Sequence, residues 1–296
     1  YFEHNFVRLI SLPTSMRKIC VTAHANDFAA CVTGIDLTKP ITSVLSDQLR
    51  AQWLRYQVLY FPDQPMTHGD LERFTESLGP FGHDPYISPV PGHPNILEVR
   101  HEPDEAAIPF GSSWHSDWSF QAAPPNATVL HAKVVPPIGG GTQFADGVRA
   151  FETLPQTLRR AIEGRRAIHS ARRPYSHEGY RAGGKRTSMK ITPSDDAWQT
   201  QCHPIIRTHP ESGRQSLFLN PVYTLGIEGM DAGESSQILQ GLFEHMLQPD
   251  FVYHHCWTEN MLALWDNRTV MHSAQGGYEG YRRVMHRTTV AGSVPV

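Results

Sequence analysis

From Trp114 onward the chain is interrupted at short intervals by residues that cannot continue a helix. Turns fall at Pro124-Pro125, at Pro136-Pro137 and at the run Gly139-Gly140-Gly141. The apolar segments between such breaks are brief, and Phe251 to Trp257, Met261 to Trp265 and Val284 to Val290 read as closing strands. Two stretches keep helical spacing. One runs from about Pro155 to Glu163, with Leu154, Leu158 and Ile162 on one face and Gly164 as its stop; the other carries Ile238, Leu242, Phe243 and Met246.

The first hundred residues mix both patterns. Ile19 to Thr22 and Val32 to Leu37 read as short strands, Ser46 as the cap of a helix through Trp53 and Leu54, and Val58 to Phe61 as a buried strand stopped by Pro62. Thr67 and Asp70 form a capping-box pattern before Leu71, Phe74 and Leu78, and Ile96 to Val99 is another strand. Many short strands around a few helices predict a mainly β fold with flanking helices, a double-stranded β-helix or jelly roll of cupin-like type. We divide the chain into a leader, 1–15, preceding the first Met at Met16, and a single domain, 16–296. Within it, 170–202 is a long irregular insertion with six Lys or Arg against the single Glu178 between Arg172 and Lys190, which suggests a lid.

Composition bounds the partners. The 296 residues are 40% hydrophobic and 19% charged, as expected of a soluble body. Twenty-six Lys plus Arg against 29 Asp plus Glu leave a net charge of −3, with no basic surplus for nucleic acid. No run approaches about 18 apolar residues, so no membrane span is expected. Cys20, Cys31, Cys202 and Cys256 lie too far apart for a zinc ribbon and form no disulfide framework; reduced thiols and a cytoplasmic location follow. The 17 histidines raise the prospect of a metal site.

His115-Ser116-Asp117 is the first candidate, because in an extended strand residues i and i+2 face the same side. The pattern is weak alone, and His68-Gly69-Asp70 repeats it at a helix start, where Asp70 is explained by capping. His272, just past a buried strand and polar turn, is the candidate third ligand. Arg283, Met285 and Arg287 share one face of a strand with apolar neighbours, and two inward guanidiniums demand carboxylates.

Four motifs together closely resemble the taurine and phenoxyalkanoate dioxygenase family, the Fe(II)- and 2-oxoglutarate-dependent oxygenases. They are Trp114-His115-Ser116-Asp117-Trp118-Ser119-Phe120, Val135-Pro136-Pro137-Ile138-Gly139-Gly140-Gly141-Thr142, Trp265-Asp266-Asn267-Arg268 before His272, and Arg282-Arg283-Val284-Met285-His286-Arg287-Thr288-Thr289-Val290. The likeness extends from about Ile19 to Val290. It implies that His115, Asp117 and His272 ligate iron as a facial triad. It further implies that Thr142 and Arg283 hold the distal carboxylate of 2-oxoglutarate, and that Arg287 lies near the keto-acid end and the substrate's anion.

The expected partners are a small anionic substrate, 2-oxoglutarate and dioxygen, with self-association left open. For the substrate, His83 in the loop after the early helix is the family-based candidate, and Tyr86, Phe110, Trp118 and Tyr223 are candidates for an apolar wall. Gly179 to Lys185 imitates a phosphate loop but has Arg186 where Ser or Thr is required and no strand before it, so a nucleotide site is rejected. Two other classes compete with the oxygenase: a non-catalytic jelly-roll module binding anions or carbohydrate, and a zinc hydrolase using the same ligands.

Overall fold

The computed structural model describes residues 19–24, 26–182 and 186–296, so the leader 1–15 and the Gly183-Gly184 part of the basic stretch lie outside the described residues. The strands are β1 (Cys20–Ala23), β2 (Ala29–Thr33), β3 (Val58–Phe61), β4 (Leu97–His101), β5 (Ala127–Val134), β6 (Thr142–Asp146), β7 (Arg166–Ser170) and β8 (Thr200–Pro204). They continue as β9 (Ile206–Thr208), β10 (Gln215–Leu217), β11 (Thr224–Ile227), β12 (Val252–His255), β13 (Leu262–Asp266), β14 (Val270–Ala274) and β15 (Arg283–Val290). The α-helices are α1 (Ser43–Tyr56), α2 (His68–Leu78), α3 (Gly147–Glu152), α4 (Gln156–Ile162), α5 (Arg172–Tyr175), α6 (His177–Ala182) and α7 (Ala232–Met246).

A seven-stranded sheet runs β1-β2-β3-β13-β5-β15-β4, antiparallel except where β2 meets β3. It faces a three-stranded sheet, β12-β6-β14, across a core in which Val58, Ala263, Trp265 and Met285 meet Phe144 and Val270. This is the jelly-roll sandwich. Alternation along each strand sends the opposite side chains outward, where Leu59, Phe61, Leu264 and Val290 pack under α1 and α2 through Trp53, Leu49, Leu71 and Phe74. Behind the small sheet, Ala145 and Met271 pack on Phe151, Leu239 and Leu242 of α3 and α7. The large sheet thus presents Arg283, Met285 and Arg287 to the interior of the sandwich, as their spacing requires.

Three local expectations change. The side chain capping α1 is Thr42, whose Oγ1 accepts from Leu45 N at 3.3 Å; Ser46 falls inside the first turn and donates instead to Ser77 O. Strand β2 covers Ala29–Thr33, because Gly34 at φ 79° turns the chain out of the sheet. The described residues of the stretch 170–202 are not irregular. They fold into α5, α6 and a 3-10 turn, Asp195–Trp198, and bury Tyr175, Met189 and Ala197 against Tyr86 and Phe120.

The turn between β13 and β14 is held by a buried ion cluster. Asp266 Oδ1 accepts from Arg268 Nε at 2.7 Å, and Oδ2 accepts from Arg268 Nη2 at 2.7 Å while also bonding His209 Nε2 at 3.0 Å. Burial alone would raise the Asp266 carboxyl, but Arg268 and His209 hold it well below the usual carboxylate range. Asp266→Ala leaves Arg268 buried without its main partner, so we expect a loss of about 3–5 kcal/mol in denaturant unfolding near neutral pH. Because the folded pKa is depressed, the contribution is full above the unfolded value of about 3.9 and fades as pH falls through the folded one. The parent-to-variant gap should therefore narrow in acid, and a constant gap would refute this account.

Candidate metal and cosubstrate site

His115 and His272 come together through their backbones. His115 N donates to His272 O at 3.0 Å and His272 N to His115 O at 2.8 Å, an isolated antiparallel bridge that extends β14 by one partner. Such a doubly bonded pair sets the two rings side by side, with centroids 4.2 Å apart. The chain turns immediately after Asp117, with Trp118 at φ 48°, a conformation that only a well-supported non-glycine residue holds. Asp117 Oδ1 then lies 3.7 Å from His115 Nε2 and Oδ2 lies 3.8 Å from His272 Nε2. All three residues are buried, and one ligand atom from each falls within 4.8 Å of the others.

Their supports define the protonation states. His115 Nδ1 donates to Ser113 O at 2.7 Å, which leaves Nε2 free to ligate. Burial lowers both imidazoles, His272 well below the ordinary value, so both are neutral. Burial pushes Asp117 up, but the Arg287 guanidinium, helped by the hydrogen bond from Thr128, outweighs it and brings the carboxyl to about 2. Two neutral imidazoles and one carboxylate are the donor set of a non-haem iron site. Asp117 Oδ2 also accepts from Thr128 Oγ1 at 2.6 Å, and Thr128 accepts from Asn267 Nδ2 at 2.8 Å. Asn267 stood within a quoted motif; nothing in the local sequence marks Thr128, which reaches Asp117 only because β5 lies beside β13.

Thr142, Arg283 and Arg287 line one small cavity with His115 and His272. Gly140, at φ 67°, lets the loop before Thr142 pass close to Arg283: its carbonyl accepts from Arg283 Nε at 3.1 Å, and a Cβ there would sit 2.8 Å from Pro136. The two arginines differ in their partners. Arg287 Nη1 donates to Asp117 Oδ1 at 3.0 Å and Nη2 reaches Asp84 Oδ2 at 3.4 Å, so its charge is already matched. Burial would lower Arg287, but Asp117 and Asp84 raise it overall. Arg283 is just as buried, has no carboxylate partner among the described residues, and is lowered by burial. Thr142 Oγ1 accepts from Trp257 Nε1 at 3.0 Å, which leaves the hydroxyl proton to donate elsewhere.

A second cavity of about 330 Å³ opens beside His115, walled by Phe110, Tyr175, Tyr180 and Tyr223 with Arg186 at its side. Phe110 and Gly111 line both it and the smaller one, and a Cβ on Gly111, at φ 76°, would stand 3.3 Å from His115 Cε1, a tight contact in a backbone conformation that side chains rarely adopt. Of the four residues expected to form the apolar wall, Phe110 and Tyr223 do so. Tyr86 is drawn beneath the wall instead, stacked on Tyr175 at 4.5 Å, and Trp118 turns toward a separate cleft with His83 and Arg287. His83 lies in that cleft and does not reach the cavity at His115, because the chain continues directly into Asp84, whose carboxylate is committed to Arg287 and to the backbone of Tyr86 and Ile87. The spacing of residues missed Asp84, Tyr175, Tyr180 and Arg186; the basic bias of 170–202 was the only signal for the last.

Residues 21–289 match the profile of the family described as "Taurine catabolism dioxygenase TauD, TfdA family". The chain belongs to this family. It is 30% identical over 270 residues to the (S)-phenoxypropionate/alpha-ketoglutarate-dioxygenase of Sphingobium herbicidovorans, covering 90% of this chain and 92% of that one. It is also 30% identical over 295 residues to the alpha-ketoglutarate-dependent sulfate ester dioxygenase of Pseudomonas putida, covering 97% and 94%. Among solved structures, a taurine dioxygenase from Burkholderia xenovorans superposes with a TM-score of 0.77 at 28% identity, over 94% of this chain and 92% of that one. AAD-2 in complex with Mn(II) and N-oxalylglycine does so with a TM-score of 0.78 at 29%, over 94% and 99%. This TauD/TfdA member is therefore an alpha-ketoglutarate-dependent dioxygenase, an oxidoreductase with a jelly-roll fold. No described helix is long and apolar enough to cross a membrane.

Proposed function

We propose that the protein is a non-haem Fe(II)/2-oxoglutarate dioxygenase that hydroxylates a small anionic organic substrate, a carboxylate, sulfonate or sulfate ester, and releases succinate and CO2. The observation that carries this reading is Arg283. It is a buried cation with no carboxylate partner among the described residues, set in one cavity with His115 and His272, whose third neighbour is the ionised Asp117. A zinc hydrolase or an anion-binding module needs the triad or the cation, but not both in this arrangement. The structural neighbour AAD-2 was crystallised in complex with Mn(II) and N-oxalylglycine, which supports a divalent ion and a keto-acid-like ligand for this chain as well.

His115, Asp117 and His272 would hold the iron, which when bound supplies the redox chemistry with dioxygen. Arg283 and Thr142 take the distal carboxylate of 2-oxoglutarate, the first by charge and the second by its free hydroxyl proton. Arg287 holds Asp117 by one nitrogen and answers to Asp84 by another. The substrate body lies against Phe110, Tyr175, Tyr180 and Tyr223, which exclude water from the carbon presented beside His115. Its anion is met by Arg186, whose Nη2 is anchored on Ile108 O at 2.6 Å and whose Nη1 has no protein partner among the described residues. The 170–202 stretch, which supplies Tyr175, Tyr180 and Arg186, acts as the lid, and its closure orders that wall. The reduced thiols suit a cytoplasmic enzyme.

The test is aerobic turnover with added Fe(II) and 2-oxoglutarate, with succinate as the readout. Phenoxyacetate, phenoxypropionate or hexyl sulfate should raise succinate formation above the substrate-free rate, and the corresponding neutral amide or alcohol should do so far less. In Arg186→Met the preference for the anion should shrink. No succinate under any of these conditions would refute the oxygenase, and equal stimulation by neutral analogues would refute the anionic substrate class.

A further inference from the structure

The layer between the two sheets holds a run of oxidisable side chains that the reaction just described does not use. In the large sheet Cys31 is paired with Tyr60, Tyr60 with Ala263, and Val58 with Trp265. Paired residues and residues two apart share a face, so Cys31, Tyr60 and Trp265 point to the same side as Arg287. In the small sheet Tyr253 is paired with Phe144 and Phe144 with His272. The rings meet across the gap. The His272 ring is 4.6 Å from that of Trp265, Trp265 is 5.4 Å from Phe144, and Phe144 stacks on Tyr253 at 6.3 Å. Phe144 also lies 6.2 Å from His255, which in turn is 5.0 Å from Tyr60.

At the β1–β2 edge this run reaches the surface among thiols. Tyr60 is half-buried and its hydroxyl hydrogen-bonds His24 Nε2 at 3.1 Å; the Tyr253 hydroxyl hydrogen-bonds His255 Nδ1 at 3.1 Å. Cys31 stands beside Tyr60, and Cys20 and Cys256 are exposed nearby, close enough that Cys31 and Cys256 both perturb Tyr253 or its neighbour Tyr60. Core packing accounts for rings in contact. It does not account for two phenols each bonded to an imidazole that burial keeps neutral, His255 being pushed down to about 3. A phenol gives up an electron readily when its proton has an acceptor at hydrogen-bond distance, and a neutral imidazole is that acceptor.

We propose that this layer supplies electrons from the Cys31–Tyr60 edge to the metal site, discharging oxidising equivalents that dioxygen and 2-oxoglutarate leave there when no substrate C–H is in place. The inference rests on the oxygenase reading above. In each event Tyr60 gives one electron inward past Phe144 and Trp265 and its phenolic proton to Nε2 of His24, becoming a neutral phenoxyl radical. In the first event the Cys31 thiol returns a hydrogen atom to that oxygen, in the second a small cellular thiol does so, each time His24 passes its proton to water, and the two sulfur radicals couple. Two such events convert Cys31 and one small cellular thiol into a mixed disulfide, with two electrons gone to the metal site and two protons to solvent. A further thiol exchanges with that disulfide and restores Cys31.

The experiment incubates the Fe(II)-loaded protein in air with 2-oxoglutarate and one equivalent of glutathione, too little to exchange the mixed disulfide away, but no substrate, comparing the parent with Tyr60→Phe and Cys31→Ser. Succinate, peptide mapping and freeze-quenched electron paramagnetic resonance are read together. The parent should accumulate glutathione on Cys31 in proportion to 2-oxoglutarate consumed. Tyr60→Phe, which keeps the ring and its packing, should leave Cys31 unmodified and oxidise side chains lining the metal cavity, such as Phe110, several-fold faster per succinate formed. Cys31→Ser should show a longer-lived phenoxyl signal than the parent. Succinate formation with an unmodified Cys31, or the same damage at the same rate in Tyr60→Phe, would overturn the relay alone; no succinate from the parent would overturn the activity and the relay with it.

Discussion

His115→Ala should bind no iron at the triad and form no succinate. The backbone bridge to His272 uses only N and O of residue 115, so the substitution removes a ligand without removing the strand pairing that sets the site. Two ligands remain, one of them a carboxylate tied to Arg287 and Thr128, and no second cluster of three ligating side chains exists among the described residues to compensate. His68→Ala should leave iron binding unchanged, since Asp70 is committed to Thr67 and Arg73 and His68 packs against His93 and His286. Thr128→Val, which deletes one hydrogen bond to Asp117, should weaken the metal by about 10–100-fold. Anaerobic Fe(II) titration checks all three, and equal affinity in His115→Ala and the parent would remove the assignment.

The second large effect separates the two arginines. In Arg283→Ala the distal carboxylate of 2-oxoglutarate loses a charge-assisted, two-pronged partner worth about 1.5–3 kcal/mol, so its affinity should fall roughly ten- to hundredfold while iron binding persists. Arg287→Ala should behave differently. It leaves Asp117 and Asp84 buried without the cation between them, so the expected result is a loss of folding stability of about 3–5 kcal/mol together with weakened iron. Titration of 2-oxoglutarate into the iron-loaded proteins, paired with thermal unfolding, reads both. Unchanged cosubstrate affinity in Arg283→Ala would place the keto acid elsewhere.

The elements most legible in the sequence were those whose cause is local. Thr67 and Asp70 form the capping box their spacing predicts, and β3 ends at Pro62 because proline cannot extend the ladder. The alternation of Arg283, Met285 and Arg287 with Val284, His286 and Thr288 sends the arginines into the sandwich. The same local logic failed where two residues compete for one role: Thr42, not Ser46, caps α1, since the cap is decided by which hydroxyl stands one residue outside the helix. His83 was a plausible substrate contact by its loop, yet the neighbouring Asp84 engages Arg287 and the local backbone, and the loop turns to a different cleft.

By itself the sequence determined the chemistry available to the site: which side chains could ligate, which are cationic, and on which face of their strands they lie, because strand period and residue type are properties of a few neighbouring positions. Only the tertiary structure decided how those charges are distributed. Arg283 and Arg287 look alike along the chain, but Asp84, some two hundred residues before Arg287, is folded against one and not the other, leaving Arg283 as the cation in want of a carboxylate. Likewise the support of Asp117 by Thr128, and the assembly of the larger cavity from the loop holding Phe110 and the stretch holding Tyr175 and Arg186, depend on which strands and loops become neighbours. Those adjacencies are set by the joint burial of apolar faces across the whole sandwich, and no short segment contains that information.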